Sequence, residues 1–189
     1  FTYEPYARAL YPALSDDAFY ITMEASVNGE DPSPSDAMRR YMDYSMVEAK
    51  IYGRLCLPEG ATYGASIWSI PLDPEKEKKK SYEKEAFIKN FMGMKSFSIY
   101  QSIVDFMSEK TRQVVDNDAW YLSIIGLDPG CQGKGLGRSL MDPILEMADK
   151  QNKSTYLETF VPRNMSFYSR IGYKAAATFF EPETQAEYT

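Results

Sequence analysis

A chain of 189 residues with 44% hydrophobic and 25% charged content can bury roughly 70% of its unfolded surface, which excludes a disordered or fibrous protein. It holds no histidine, so Ser-His-Asp and Cys-His nucleophiles, H-E-x-x-H zinc sites and imidazole proton shuttles are all excluded, and no metal is expected. A net charge of −6 argues against nucleic acid as a partner, and no apolar run approaches the roughly 18 residues that would span a membrane.

The two cysteines, Cys56 and Cys131, fit a reducing cytoplasm better than a disulfide framework. The sequence begins at Phe1 rather than Met, so upstream residues are expected, and a removed signal peptide is left open.

Residues 1–20 carry a short helical pattern through Leu10, Leu14 and Phe19, with Ser15-Asp16-Asp17 reading as a helix end or cap. Asn28–Asp36 (NGEDPSPSD) is a loop by its Pro, Ser, Gly and Asp content. Asp36 is then expected to cap a helix running to about Glu48, with Met38, Tyr41, Met42, Ser45 and Met46 on one face. Lys50–Leu57 and Ala61–Pro71, joined by Pro58-Glu59-Gly60, read as an antiparallel hairpin.

Asp73–Lys89 includes the run EKEKKK. Pairing of Glu75 with Lys79 and of Glu77 with Lys80 makes it a solvated helix rather than a nucleic-acid patch. A second helical stretch covers 96–112, so a helical insertion over about 73–116 is expected inside a single domain of residues 1–189.

Ala119–Leu127 is apolar on both faces, as in a central strand. A glycine-rich turn and a helix to about Gln151 follow, then a strand Thr155–Phe160, a short helix Asn164–Ile171 and a last strand Tyr173–Phe180. Strand alternating with helix predicts an α/β fold with parallel pairing.

The turn Asp128–Arg138 (DPGCQGKGLGR) carries glycines at 133, 135 and 137. Side-chain-free backbone at a helix N-terminus forms an anion site that suits a pyrophosphate, with Lys134 and Arg138 adding charge at the rim. Other phosphate motifs fit worse. Gly135 stands where the Walker pattern needs Ser or Thr, and Arg138 stands in the third glycine slot of the dinucleotide fingerprint.

Here the chain resembles the GNAT acetyltransferase family. Gln132, Gly135 and Gly137 match its Gln/Arg-x-x-Gly-x-Gly/Ala loop, and Leu127-Asp128-Pro129 matches the strand end before it. Asn164 through Phe167-Tyr168 to Gly172-Tyr173 loosely resembles its second conserved element. The stretch Gln132–Tyr173 is most similar to the puromycin N-acetyltransferase branch.

The resemblance implies a mixed central sheet splayed into a V between the Trp120 and Tyr156 strands, with helices on both faces and acetyl-CoA in the V. It implies that the backbone at Ile125, Gly126 and Leu127 and the turn residues Gln132, Gly133, Lys134, Gly135, Leu136, Gly137 and Arg138 contact the cofactor. Asn164 and Phe167 belong to the same set, Asn164 either on the pantetheine or capping its helix. The family usually continues into a last strand where this sequence stops at Thr189, so that strand is expected to be absent, displaced or outside these residues.

Acetyl transfer needs a proton taken from the amine, an oxyanion stabilised and a thiolate protonated. Tyr168 occupies the family's general-acid position; Phe167 and Ile171, at i,i+4, should face the core and turn Tyr168 toward the cofactor. Alternation puts Tyr156, Glu158 and Phe160 on one strand face, which makes Glu158 a candidate base or amine anchor beside its reading as a structural acceptor. Asp16 and Asp17 are second acidic candidates or helix caps, and Trp68 walls the acceptor pocket or joins the core.

The expected activity is acetyl-CoA-dependent acetylation of a small-molecule primary amine. Acetylation of a protein N-terminus or lysine, and a non-catalytic acyl-CoA-binding module, are the alternatives. A homodimer is left open.

Overall fold

The computed structural model describes residues 1–28 and 32–189, so the centre of the predicted 28–36 loop lies outside the described residues. The chain opens with α1 (Glu4–Ala13) and α2 (Ala18–Ser26), whose N-cap is Asp17. Helix α3 (Pro34–Tyr52) is capped by Ser33 rather than the expected Asp36. Ser33 accepts from the Asp36 N–H, Asp36 accepts from the Ser33 hydroxyl at 2.8 Å, and Pro34 at the first turn needs no N–H partner. Met38, Tyr41, Met42, Ser45 and Met46 are all buried on its inner face, as the spacing predicted.

Strands β1 (Gly53–Cys56) and β2 (Gly64–Ser69) form the expected hairpin. Two helices follow, α4 (Pro74–Phe91) and α5 (Met94–Thr111). On α4 Lys80 meets Glu77 at 3.8 Å, but Lys79 reaches forward to Glu83 instead of back to Glu75. These are exposed pairs worth ~0–1 kcal/mol each, so either partner serves.

Strand β3 (Trp120–Leu127) is central. The helix expected to run on to Gln151 is divided into α6 (Leu136–Ser139) and α7 (Asp142–Lys150). Pro143 is the reason: it has no N–H for the Ser139 carbonyl, so the ladder stops there. Strand β4 (Thr155–Leu157), α8 (Met165–Ile171), β5 (Phe179–Glu181) and β6 (Ala186–Tyr188) complete the chain.

The main sheet runs β1-β2-β3-β4, antiparallel except for the parallel pair β3-β4. The expected mixed sheet is present, and helices cover both faces. The predicted strands Thr155–Phe160 and Tyr173–Phe180 are shorter than expected. β4 stays beside β3 only through Leu157; Thr159 then exchanges both backbone bonds with Thr189, at 2.9 and 3.1 Å. Beyond Leu122 only β2 pairs with β3, and that divergence is the V. β5 and β6 pair antiparallel in a separate ribbon, so the parallel pairing expected for the carboxyl half is limited to β3-β4.

One extra residue sits in β3, where Leu122 faces Trp68 and Ile124 faces Ile67. The intervening Ser123 turns its hydroxyl onto the Ile67 carbonyl at 3.1 Å. A bulge shifts the two-residue alternation by one. Trp120 and Leu122 therefore pack with α7 against Met141 and Ile144, whereas Ile124 joins the opposite core of α1 and α3 beside Leu10, Met42 and Met46.

Candidate active site

The glycine turn stands at the carboxyl end of β3. The Asp128 carboxylate accepts from the Gly130 N–H at 2.8 Å, and the Gln132 side-chain amide donates to the Leu127 carbonyl at 3.0 Å, which fixes the chain as it leaves the strand. Gly135, the N-cap of α6, has φ +78°, a left-handed conformation that side chains resist, and open space surrounds the position of a Cβ there. Gly137 is absent a side chain for another reason. A Cβ would lie 3.0 Å from the Phe167 ring, so Gly137 lets α8 pack onto α6.

The rim cations are already engaged. Lys134 donates to the Gly130 carbonyl at 2.8 Å, and Arg138 pairs with Asp142 at 3.2 Å. Gln132, Gly133, Lys134, Gly135 and Arg138 are exposed, Leu136 is half-buried, and Ile125, Gly126 and Leu127 lie on the part of β3 that pairs with β2 but not with β4.

Two cavities share a wall where β3 and β4 part. The first, about 600 Å³, lies between β4, α8 and the β5-β6 ribbon and is lined by Tyr168, Leu157, Tyr173 and Tyr188. The second, about 580 Å³, runs under α5 and is lined by Asp17, Tyr20, Tyr41, Tyr100 and Tyr121. Thr111, Tyr156 and Glu158 belong to both walls. The glycine turn lines neither.

Glu158 follows the last residue of β4, where the two parallel strands part. The Thr111 hydroxyl donates to its Oε1 at 2.6 Å. Burial raises its pKa, and the hydrogen bonds from Thr111 and Tyr121 work against that rise without cancelling it. Its neighbour Tyr156 stacks on Tyr121, ring centres 4.8 Å apart. Burial also pushes the Tyr121 and Tyr156 phenols up, with the Glu158 charge adding to it, so both stay protonated.

Tyr168 packs edge-on to Phe167 at 5.3 Å and to Tyr173 at 6.2 Å. It joins Phe167 and Ile171, all three half-buried, against the α7 core instead of turning away from it, while Ser166, Ser169 and Arg170 form the exposed face of α8. Burial first, then the nearby Asp17 charge, raises its phenol.

Asp17 acts as the cap that the sequence allowed: its carboxylate accepts from the Phe19 N–H at 2.9 Å. It also faces the second cavity, and burial raises its pKa to about 6. Asp16 instead forms an ion pair with Arg163. Trp68 is wholly buried with its indole N–H on Ser66 at 2.9 Å, so the pocket-wall reading is replaced by the core one. Asn164 precedes α8 without a side-chain capping bond.

Thr111, Tyr121, Tyr100 and Glu48 also line the site but were not singled out from sequence. A signal existed: Tyr41, Ser45 and Glu48 put polar atoms at i, i+4 and i+7 on the buried face of α3.

The model of the acetyltransferase (GNAT) family matches residues 66–173, more than half of the chain. The chain belongs to this family and is an acetyltransferase. Over 185 residues it is 25% identical to an uncharacterized N-acetyltransferase of Schizosaccharomyces pombe, covering 90% of this chain and 70% of that one.

Among solved structures it is similar to a polyamine N-acetyltransferase of Drosophila melanogaster that forms N-acetylagmatine, at TM-score 0.56 and 15% identity, over 92% of this chain and 80% of that one. An acetyltransferase of Corynebacterium glutamicum related to histone acetyltransferases matches at TM-score 0.56 and 19% identity, over 90% and 78%. At these identities the structural likeness speaks for the fold. Among the described residues no helix is long and apolar enough to cross a membrane.

Proposed function

We propose that the chain transfers an acetyl group from acetyl-CoA to a primary amine of a small molecule, by direct attack within a ternary complex. The observation that carries this reading is Glu158. It is a half-buried carboxylate at the parting of β3 and β4, on the wall common to two cavities, one of which also holds Tyr168.

The family uses acetyl-CoA as co-substrate, which supplies the activated thioester. The turn Gln132–Arg138 suits the pyrophosphate: Gly135 holds its backbone left-handed with open space around it, and the exposed Lys134 and Arg138 can turn from their present partners. Asn164, at the start of α8, which packs onto α6 through Phe167 and Gly137, would bond the pantetheine, and Phe167 would back it.

In the reaction Glu158 takes a proton from the ammonium, directly or through water. Freeing an amine of pKa about 10.4 at neutral pH costs roughly 4 kcal/mol, and a carboxylate raised toward neutrality is the better base. The amine nitrogen bonds to the acetyl carbon as the carbon–sulfur bond breaks. The backbone N–H groups of Ile125 and Leu127, which point away from β2 and have no β4 partner, face the developing oxyanion. Tyr168 donates to the departing sulfur. Its raised phenol makes this a hydrogen bond rather than a complete transfer, and the proton released by the amine ends on the thiol through solvent.

The small acceptor is supported by the tyrosine-lined second cavity and by the structural likeness to a polyamine acetyltransferase. The similarity of Gln132–Tyr173 to the puromycin N-acetyltransferase branch supports the same class. The free thiols Cys56 and Cys131 support a cytoplasmic setting. Release of CoA thiol across a panel of small amines, and of peptides with a free N-terminus or lysine, tests the proposal. Turnover with small amines is expected; turnover with peptides alone contradicts it.

A further inference from the structure

The α5 wall of the second cavity includes Tyr100, Ile103, Met107, Ser108 and Thr111, spread over the carboxyl two thirds of the helix. Thr111, at one end, holds Glu158. Tyr100 marks the other end. There the Phe19 ring stands between Tyr100 and Tyr41, at 6.4 and 6.2 Å, and Tyr41 belongs to the α3 face that carries Ser45 and Glu48. Eleven residues of α-helix separate Tyr100 from Thr111, roughly 16 Å at 1.5 Å per residue.

Glu48 is incompletely satisfied. Its Oε1 is fully buried with no hydrogen-bond partner among the described residues. Its Oε2 faces Lys84 at 3.6 Å, beyond hydrogen-bond reach. Lys84 itself is served elsewhere: it bonds Ser45 at 3.3 Å and lies over the Tyr41 and Tyr44 rings at 4.7 and 4.9 Å. A buried carboxylate oxygen without a donor, at the far end of a channel whose near end carries Glu158, lacks one N–H.

We propose that the acceptor is a linear amine with a second amino group, and that Glu48 receives this second group while the first reacts beside Glu158. The inference rests on the acetyl-transfer reading. The cavity walls include Tyr20, Ile67, Ile103, Met107, Tyr121 and Ile124, apolar surface that suits methylene segments, interspersed with serine hydroxyls. The near end, with Asp17, Asp116 and Glu158 against Arg112, is net acidic; the far end, where Glu48 meets Lys84 and Glu77 meets Lys80, is neutral and selects by hydrogen bonding.

The test measures KM and kcat for putrescine, too short to bridge the ends, for spermine, long enough to do so, and for linear monoamines of both lengths. Spermine should show a KM at least about tenfold below that of the matched monoamine, as expected for a hydrogen bond to a charged group, with no such gap for the short pair. Glu48→Gln should erase the spermine advantage, bringing the KM ratio of spermine to its matched monoamine to about one.

Because that variant leaves Lys84 buried without its counter-ion, the double variant Glu48→Gln, Lys84→Met removes both charges and should give the same result. A spermine KM equal to the monoamine's, or an advantage that survives both variants, overturns the inference. Putrescine turnover would still uphold the acetyl-transfer reading in that case, whereas no thiol release with any amine would count against that reading itself.

Discussion

The Thr111 hydroxyl donates a 2.6 Å hydrogen bond to Glu158 Oε1, tying the last residue of α5 to the residue just past β4. The contact holds the carboxylate at the divergence of the sheet and opposes the rise that burial imposes on its pKa. A base must be ionised, so kcat/KM should fall on the acid side through a pKa above the ordinary carboxylate range. Thr111→Val removes a bond that lowers this pKa, so the acid limb should move to higher pH while CoA affinity holds. An unmoved limb in the pH–rate profile would separate Glu158 from the rate-controlling ionisation.

Glu158→Gln should lower kcat by about 10² or more if the carboxylate takes the proton. If it only holds the ammonium, the loss should appear in the acceptor's KM with kcat kept. Steady-state kinetics with one good amine separates the two, and parent kinetics would remove Glu158 from the mechanism.

Tyr168→Phe keeps the ring packed against Phe167 and Tyr173 and deletes only the hydroxyl. Turnover should fall at least about tenfold with unchanged CoA affinity and melting temperature. Parent turnover would make Tyr168 a packing residue, with the sulfur leaving unassisted.

Asp17 gives a stability prediction with a definite sign. Its folded pKa of about 6 stands above the ordinary value of 3.8, so its favourable contribution is complete below about pH 4 and is lost as pH rises through about 6. At pH 8 it is a buried charge that caps α2. Asparagine caps equally well without the charge. Asp17→Asn should therefore stabilise the protein at pH 8 by on the order of 1–3 kcal/mol, with the gain gone near pH 4. Urea unfolding at the two pH values measures it.

The turn glycines should respond differently to substitution. Gly135→Val forces a β-branched residue to φ +78° and puts methyl groups in the space proposed for the pyrophosphate, so CoA binding should be lost. Gly137→Ala drives a methyl against the Phe167 ring and should cost about 1–3 kcal/mol of stability. Calorimetric CoA titration and thermal unfolding of both variants distinguish the phosphate-cradle role from the packing one.

Local signals were legible in the sequence: the inner face of α3, the β1-β2 hairpin, the central β3 and the strand–turn–helix order around the glycines all follow from periodicity and turn chemistry. Long-range pairing was not. Thr155–Phe160 reads as one strand because Thr155, Tyr156, Thr159 and Phe160 favour extended backbone, and nothing local indicates that Thr159 leaves β3 for Thr189. The β3 bulge is hidden in the same way, since Ser123 keeps the alternation plausible while moving Ile124 to the other face. Glu158 and Tyr168 could be singled out as candidates because they lie near the motif in sequence. Thr111 and Glu48 lie on helices far from it and enter the site only through tertiary packing.

The most direct measurement follows the acetyl group itself. The protein is incubated with a linear primary amine and acetyl-CoA labelled in the acetyl carbon, and the label is traced by NMR while thiol release is counted. The account predicts that the label appears as an N-acetyl amide on the amine, one thiol per amide, and that both signals fall together in Glu158→Gln. Label recovered as acetate or on the protein, with the amine unchanged, would contradict it.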